Sequence, residues 1–328
     1  MKTRKFNHTG REVSEVGLGT WQIGGSWGDV SEGEALNILK SAVDNGVTFF
    51  DTADVYGDGR SEILIGKFAK TVNKDNLFIA TKLGRSSNPG WSENFTLPVM
   101  RKHTEDSLRR LALDSLDLTQ LHCVPTDVLR NGEIFDNLRI LKSEGKIKQF
   151  GASVESIEEA LICLEQDGLS SLQIIFNIFR QKPISTIFDK AKESNVAIIV
   201  RLPLASGLLT GRMTKDTKFK ESDHRNFNKD GEKFNVGETF AGLPFEKGVE
   251  LSDELKEFVP SGMTLSEMSL RWILDYDAVT TIIPGASRAE QIISNVSASD
   301  TPPLSDELHE KLADWYESNV KMNIRGLY

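Results

Sequence analysis

The sequence predicts an α/β fold of the (β/α)8 (TIM) barrel type, and three observations carry that reading. Short apolar, β-branched runs recur at 16–21, 48–53, 77–83, 116–123, 148–153, 172–177, 197–202 and 280–284. Segments with helical spacing lie between them, so strand and helix alternate as in a parallel sheet with right-handed crossovers. No G-x-G-x-x-G follows the first run, although an open dinucleotide-binding sheet would carry one there. Eight strands of this kind close into a barrel.

The elements follow in order. Residues 1–13 precede the first strand and are expected to form a hairpin capping the barrel bottom. Ile174-Ile175 and Ile198-Ile199-Val200 do not alternate with polar residues, as in strands buried on both faces. Ala35, Ile38, Leu39, Ala42 and Val43 keep a helical rhythm that stops at Asn45-Gly46, a C-cap signal. A second helix is expected to start at Ser61, and others span 100–113, 134–143, 157–166, 184–194, 265–275 and 289–296. Segment 215–260 is a long polar insertion after the seventh strand. Loops of that length are functional lids or disordered, and both readings stand. An extra C-terminal helix is expected at 305–320. No linker divides the chain, so residues 1–328 are read as a single domain.

Composition agrees with an ordinary globular protein. The 328 residues are 39% hydrophobic and 27% charged, ordinary values for a chain that needs no disulfide or structural metal. The net charge of -9 argues against nucleic acid or an anionic membrane as partner. Cys123 and Cys163 have no C-x-x-C spacing and sit in apolar stretches, so both are expected as buried free thiols. No apolar signal core follows the N-terminus, and no window reaches the ~20 apolar residues of a membrane span. A cytoplasmic location is expected.

Polar residues interrupt the ends of the apolar strands. Asp51 ends the second, Lys82 the third and His122 the fourth, and Tyr56 lies in the loop just beyond Asp51. The C-terminal strand ends of such a barrel open onto one face, where active sites lie. An ammonium beside a phenol favours the phenolate and lowers its pKa. The ammonium needs a counter-charge, which Asp51 can supply. An imidazole adds a second donor at an oxygen that develops negative charge. Singly, each residue has an ordinary structural reading; together they suit carbonyl reduction, with hydride reaching carbon and a proton reaching oxygen.

Gly17-Leu-Gly-Thr-Trp21, Phe50-Asp-Thr-Ala-Asp-Val-Tyr-Gly57, Ala80-Thr-Lys82 and Gln120-Leu-His122 resemble the aldo-keto reductase pattern in order and spacing. The similarity runs from about Gly17 to Asn295. It implies a catalytic tetrad of Asp51, Tyr56, Lys82 and His122, and NADP(H) bound in extended form without a Rossmann domain.

By the same resemblance, Gly19, Thr20, Trp21 and Asp51 belong to the cofactor wall, and Ser153 and Gln173 hold the carboxamide. Arg201 takes the place of a tyrosine that stacks on the nicotinamide. A guanidinium can also lie flat on a π face; pairing with a rim carboxylate is the other reading. Leu204, Ser206, Gly207, Leu209 and Gly211 match a loop whose backbone cradles the pyrophosphate. Gly285, Ser287, Arg288, Gln291 and Asn295 match the adenosine end, where a helix N-terminus favours a phosphate and Arg288 is expected to read the 2′-phosphate. Val154 replaces a common asparagine, and Gly285 and Gln291 lack the extra cations of strongly NADP-selective relatives. NAD(H) therefore stays open beside NADP(H).

Trp21, Trp27 and Trp91, with Tyr56 and His122, are the candidate substrate contacts, since aromatic walls suit an apolar pocket or a sugar face. Asp54, Arg60, Asn88 and Arg130 are further polar candidates. The partner is a small-molecule carbonyl compound, and the chain is read as a monomer or weak homo-oligomer. Two other classes are weighed. One is a non-catalytic, regulatory cofactor-binding module on the same barrel. The other is a metal-dependent hydrolase, disfavoured because only His122 of five histidines ends a strand; no metal is expected.

Overall fold

Strands β1 (Thr3–Lys5) and β2 (Glu12–Ser14) pair antiparallel, apart from the rest. The computed structural model describes residues 1–6, 9–25 and 30–328. Strands β3 (Leu18–Gly19), β4 (Phe49–Asp51), β5 (Phe78–Leu83), β6 (Leu118–His122), β7 (Phe150–Ser153), β8 (Leu169–Ile175), β9 (Ala197–Arg201) and β10 (Val279–Ile282) form one eight-stranded sheet, adjacent in chain order. Parallel bridges Val16–Ile282 and Gly19–Gly285 join its two edges. The sheet is a nearly closed (β/α)8 barrel.

Side chains alternate across each strand with period two. Phe49, Phe78, Ala80, Leu118, Ala197, Ile199 and Ile283 form one buried cluster with Phe6 and Val13. Phe6 of the β1–β2 hairpin packs on Phe78 with ring centres 4.6 Å apart. The hairpin therefore plugs the barrel bottom, as expected. Outward residues such as Phe50, Ile79, Leu121 and Ile198 belong to a second core, shared with the helices. Reciprocal capping boxes start three helices, Ser31 with Glu34, Ser156 with Glu159 and Thr264 with Glu267, each satisfying two otherwise unpaired N–H groups.

Three details differ from the sequence reading, and one open alternative is resolved. The first strand is two residues long, because Thr20 donates from N and Oγ1 to Asp51 O and Trp21–Gly24 becomes a helical turn. The sixth strand starts earlier and stops at Ile175; Asn177 Oδ1 accepts from Phe179 N and turns the chain. The helix expected from Ser61 begins at Arg60, after Gly59 at φ +84°. Segment 215–260 is ordered, with helix Phe245–Leu255 and short turns His224–Phe227, Val236–Glu238 and Phe240–Gly242. Its Phe240, Leu243, Val249, Leu251 and Leu255 enter the main core, which the charged residues between them hide in the sequence. The extra helix, Asp306–Trp315, continues through Tyr316–Val320. No described helix is long and apolar enough to cross a membrane.

Candidate active site

The inward positions change character along the barrel axis. Phe49 gives way to Asp51, Ala80 to Lys82, Leu118 to Gln120 and His122, and Ile199 to Arg201. Apolar groups fill the bottom and polar groups line the top, where a cavity of about 610 Å³ opens.

Lys82 Nζ donates to Asp51 Oδ1 at 2.5 Å, Thr52 O at 2.8 Å and Tyr56 Oη at 3.2 Å. Asp51 Oδ2 accepts from Gln173 Nε2 at 2.7 Å and Gln120 Nε2 at 3.2 Å. Lys82 and Asp51 are 1% and 2% exposed, so their pairing and full hydrogen bonding are what make two buried charges tolerable. Gly57 at φ +63° turns the chain directly after Tyr56, and a Cβ there would lie 1.9 Å from Gly24 O. Only glycine lets the loop pass that close. The Tyr56 ring stacks on Trp21 at 6.0 Å and meets the edge of His122 at 5.8 Å.

The electrostatics correct one expectation. Burial pushes the Tyr56 phenol up, and this outweighs the downward pull of the Lys82 ammonium. Burial alone would depress Lys82, but Asp51 and Tyr56 lift it above its ordinary value. Burial, then the Arg85, Lys82 and Arg201 charges, hold His122 well below the usual histidine range. Its imidazole is neutral near pH 7, with one N–H donor. A protonated phenol, a fixed ammonium and a neutral imidazole thus face one point.

Ser153 and Gln173 line the cavity, and Ser153 Oγ donates to Gln173 Oε1 at 3.4 Å. Arg201 also lines it. Its Nη1 is ion-paired with Glu238, its Nη2 donates to Val154 O at 2.8 Å, and Cys123 Sγ lies 3.9 Å away. The rim-carboxylate reading of Arg201 is therefore realised while the side chain still faces the cavity. Arg85 pairs with Glu155 at 2.9 Å, and Glu155 accepts from Asn235 Nδ2 at 3.3 Å. Cys123, Glu155 and Glu238 gather their donor atoms within 4.8 Å of one another, yet both carboxylates already hold guanidinium groups. Burial pushes the Cys123 thiol up to about 11, which makes it a poor metal ligand at neutral pH. Both cysteines are free and buried.

The loop after β9 enters the wall through Leu204, Ser206 and Gly207. Ser206 and Gly207 have φ of 56° and 99°, and Ser206 Oγ accepts from Phe240 N at 3.1 Å. Leu209 is fully buried in the core, and Gly211 sits against Leu265 and Lys256; neither reaches the cavity. Gly19, Thr20, Trp21, Gly285, Ser287, Arg288 and Gln291 do. Asn295 lies behind them, donating to Gly285 O at 3.5 Å. Gln291 Oε1 accepts from Ser287 N, Ser287 Oγ and Arg288 N at 2.7, 3.1 and 3.2 Å. It thereby takes up the N–H groups of the two residues just ahead of helix Ala289–Asp300. Arg288 is exposed, and no ion pair engages its guanidinium among the described residues.

Trp91 is 58% exposed, donates to Gly84 O at 2.9 Å and lies off the cavity wall. Trp27 lies outside the described residues. Asp54 is buried beneath the site, Arg60 donates to Val30 O, Arg130 pairs with Asp127 and Glu158, and Asn88 O contacts His103. None of these four lines the cavity. Sequence reasoning missed Arg85, Glu155, Arg212, Phe234 and Glu238. Arg85 and Glu155 follow Lys82 and Ser153 closely, so the strand-end rule applied a few residues further would have found them. Arg212, Phe234 and Glu238 carry no local signal.

A model of the Aldo/keto reductase family matches residues 15–317. The aldo-keto reductase YhdN of Bacillus subtilis is 31% identical over 301 residues, covering 89% of this chain and 87% of that protein. The NADH-specific methylglyoxal reductase of Escherichia coli is 26% identical, covering 91% of this chain and 93% of its own. In structure, the holo form of an aldo-keto reductase (AKR11C1) from Bacillus halodurans superposes with a TM-score of 0.78 at 26% identity, covering 100% and 98% of the two chains. The glycerol dehydrogenase AKR11B4 of Gluconobacter oxydans superposes with 0.76 at 28% identity, covering 99% and 98%.

Proposed function

The chain belongs to the aldo/keto reductase family of oxidoreductases, and from that premise we propose that it reduces aldehyde, ketone or sugar carbonyls, or oxidises the matching alcohols, with Tyr56 as the acid–base group. The observation that carries this is the chain Asp51–Lys82–Tyr56 ending at the cavity beside a neutral His122. Tyr56 Oη delivers its proton to the carbonyl oxygen. Lys82 stabilises the phenolate left behind, Asp51 holds Lys82 in place, and His122 donates to the same oxygen. A bound nicotinamide supplies or accepts the hydride.

The residues present fit such a cofactor. Ser153 and Gln173 offer an acceptor and donors for a carboxamide, and the positive-φ loop at Ser206–Gly207 presents backbone. Arg212 and Arg288 place cations on the cavity wall for phosphates. Arg288, at the N-terminus of helix Ala289–Asp300 and on the cavity wall, is the group that would read a 2′-phosphate, which favours NADP(H). The NADH-specific relative keeps NAD(H) as the alternative.

Oxidation of NADPH and of NADH, followed at 340 nm with aldehydes, ketones and aldoses and with chelator present, tests the activity. Turnover that survives the chelator supports the reductase. Tight cofactor binding without turnover on any substrate would point instead to the regulatory binding module. Arg288→Ala should weaken NADPH about tenfold, as for a lost charge-assisted pair, and leave NADH unchanged. Equal effects on both would remove Arg288 from the cofactor preference.

A further inference from the structure

We propose that Glu238 is a charge-balancing, positioning residue that sets how tightly this protein holds oxidised relative to reduced nicotinamide, through its pair with Arg201. The inference rests on the nicotinamide reading above and adds a determinant that reading does not contain.

The placement follows from the floor of the cavity. Asp51, Gln173 and Ser153 form one hydrogen-bonded row across β4, β8 and β7. Arg201 ends β9, the strand beside Gln173, in register with Ile175. A ring held through its amide by Ser153 and Gln173 would lie in the part of the cavity that Tyr56 and the β9 end, with Arg201, both line. The aromatic side chains lining the cavity among the described residues are Trp21, Tyr56, Phe227 and Phe234, from the β3 and β4 ends and the long segment. The flat group on the β9 side is the Arg201 guanidinium, whose plane is fixed by Glu238 and by Val154 O at 2.8 Å.

A cation beside the ring would not treat the two redox forms alike. Departure of a hydride, with its electron pair, leaves the ring with a positive charge; the reduced ring is neutral. An unmatched guanidinium would therefore disfavour the oxidised form, and the Glu238 carboxylate offsets that bias. Arg201 and Glu238 are each 7% exposed, so water screens their charges weakly. The adjacent Arg85–Glu155 pair is neutral as a unit and leaves the balance to Glu238. Glu238 comes from 37 residues further along the chain, so the long segment contributes a charge to the barrel's own wall.

Equilibrium binding of NADPH and NADP+ (and of NADH and NAD+), read by tryptophan quenching, tests this without turnover. Glu238→Gln should raise the ratio Kd(oxidised)/Kd(reduced) about tenfold by removing one charge at short range. That equals a rise of about 30 mV in the midpoint potential of the bound two-electron couple. Arg201→Gln should move the ratio the other way, and it tests the claim independently should Glu238→Gln fail to fold. The double variant should return within about twofold of wild type. Equal weakening of both forms, with the ratio unmoved in the single variants, would reduce Glu238 to a structural strut and overturn the proposal. Wild-type protein that binds neither form would instead defeat the cofactor reading itself, and this inference with it.

Discussion

The cavity has two walls of different origin. One is built from strand ends, with Asp51, Lys82, His122, Ser153 and Gln173 fixed by backbone ladders and by one another. The other is built from the chain after β9, where Arg225, Phe227, Phe234 and Glu238 are held by distant packing. The first wall has its geometry set by strand register, so it suits chemistry that tolerates little displacement. The second is held by side chains that reach the core from outside the barrel's strand register, so it suits binding and release.

Breaking the first wall should have the largest effect. Lys82→Met leaves the Asp51 carboxylate buried without its cation, at a cost of roughly 3–5 kcal/mol. It also removes the support of the Tyr56 phenolate, so kcat should fall about a thousandfold. Cofactor Kd should change less than about threefold; denaturant titration and steady-state kinetics separate these outcomes.

Beneath the same wall, burial pushes the Asp54 carboxyl up to about 7, with Glu62 adding to the rise. The folded state thus keeps a proton that the unfolded chain, at about 3.9, has lost. Stability from this group is full below about pH 4 and declines as pH rises to about 7. Asp54→Asn should therefore gain up to about 4 kcal/mol on wild type at pH 8 relative to pH 4, at 1.4 kcal/mol per unit. Urea titrations at both values check it; a pH-independent difference would mean the carboxyl is charged in the fold.

The second wall should respond more mildly and in a different quantity. Arg180, 2% exposed, donates to Ala241 O and Leu327 O at 3.2 Å and packs on the Tyr328 ring at 4.1 Å. It anchors the stretch that carries Glu238. Arg180→Met should raise cofactor Kd about tenfold while the hydride-transfer rate stays within about threefold. A fall in that rate with binding intact would show that the two walls are not separable.

The contrast between the walls also explains what the sequence could tell. Period-two alternation places Lys82 two residues above Ala80 and His122 two above Gln120, so strand assignment alone brings them to one rim. The same alternation, with the gap in the apolar run at Arg201, located the third strand-end charge. No periodicity links Arg201 to Glu238, whose pairing depends on how 215–260 folds back. The apolar residues Phe240, Leu243, Val249 and Leu251 that fix this path are spaced among charges and read as loop. Leu209, Gly211, Asn295 and Trp91 lie off the cavity wall, which the sequence does not foretell: it gives a residue's neighbourhood, not the path of the backbone or the direction a side chain takes. The net direction of the Tyr56 shift is hidden for a related reason: Lys82 is visible in the sequence, and the burial that outweighs it is not.

The central claim is that Tyr56 gives the proton. Single-turnover decay of bound NADPH at 340 nm, on a carbonyl substrate that wild type reduces, tests it with Tyr56→Phe, which keeps the ring between Trp21 and His122. The account predicts unchanged NADPH affinity and a decay slowed by about a hundredfold to ten-thousandfold. A decay within about threefold of wild type would contradict it.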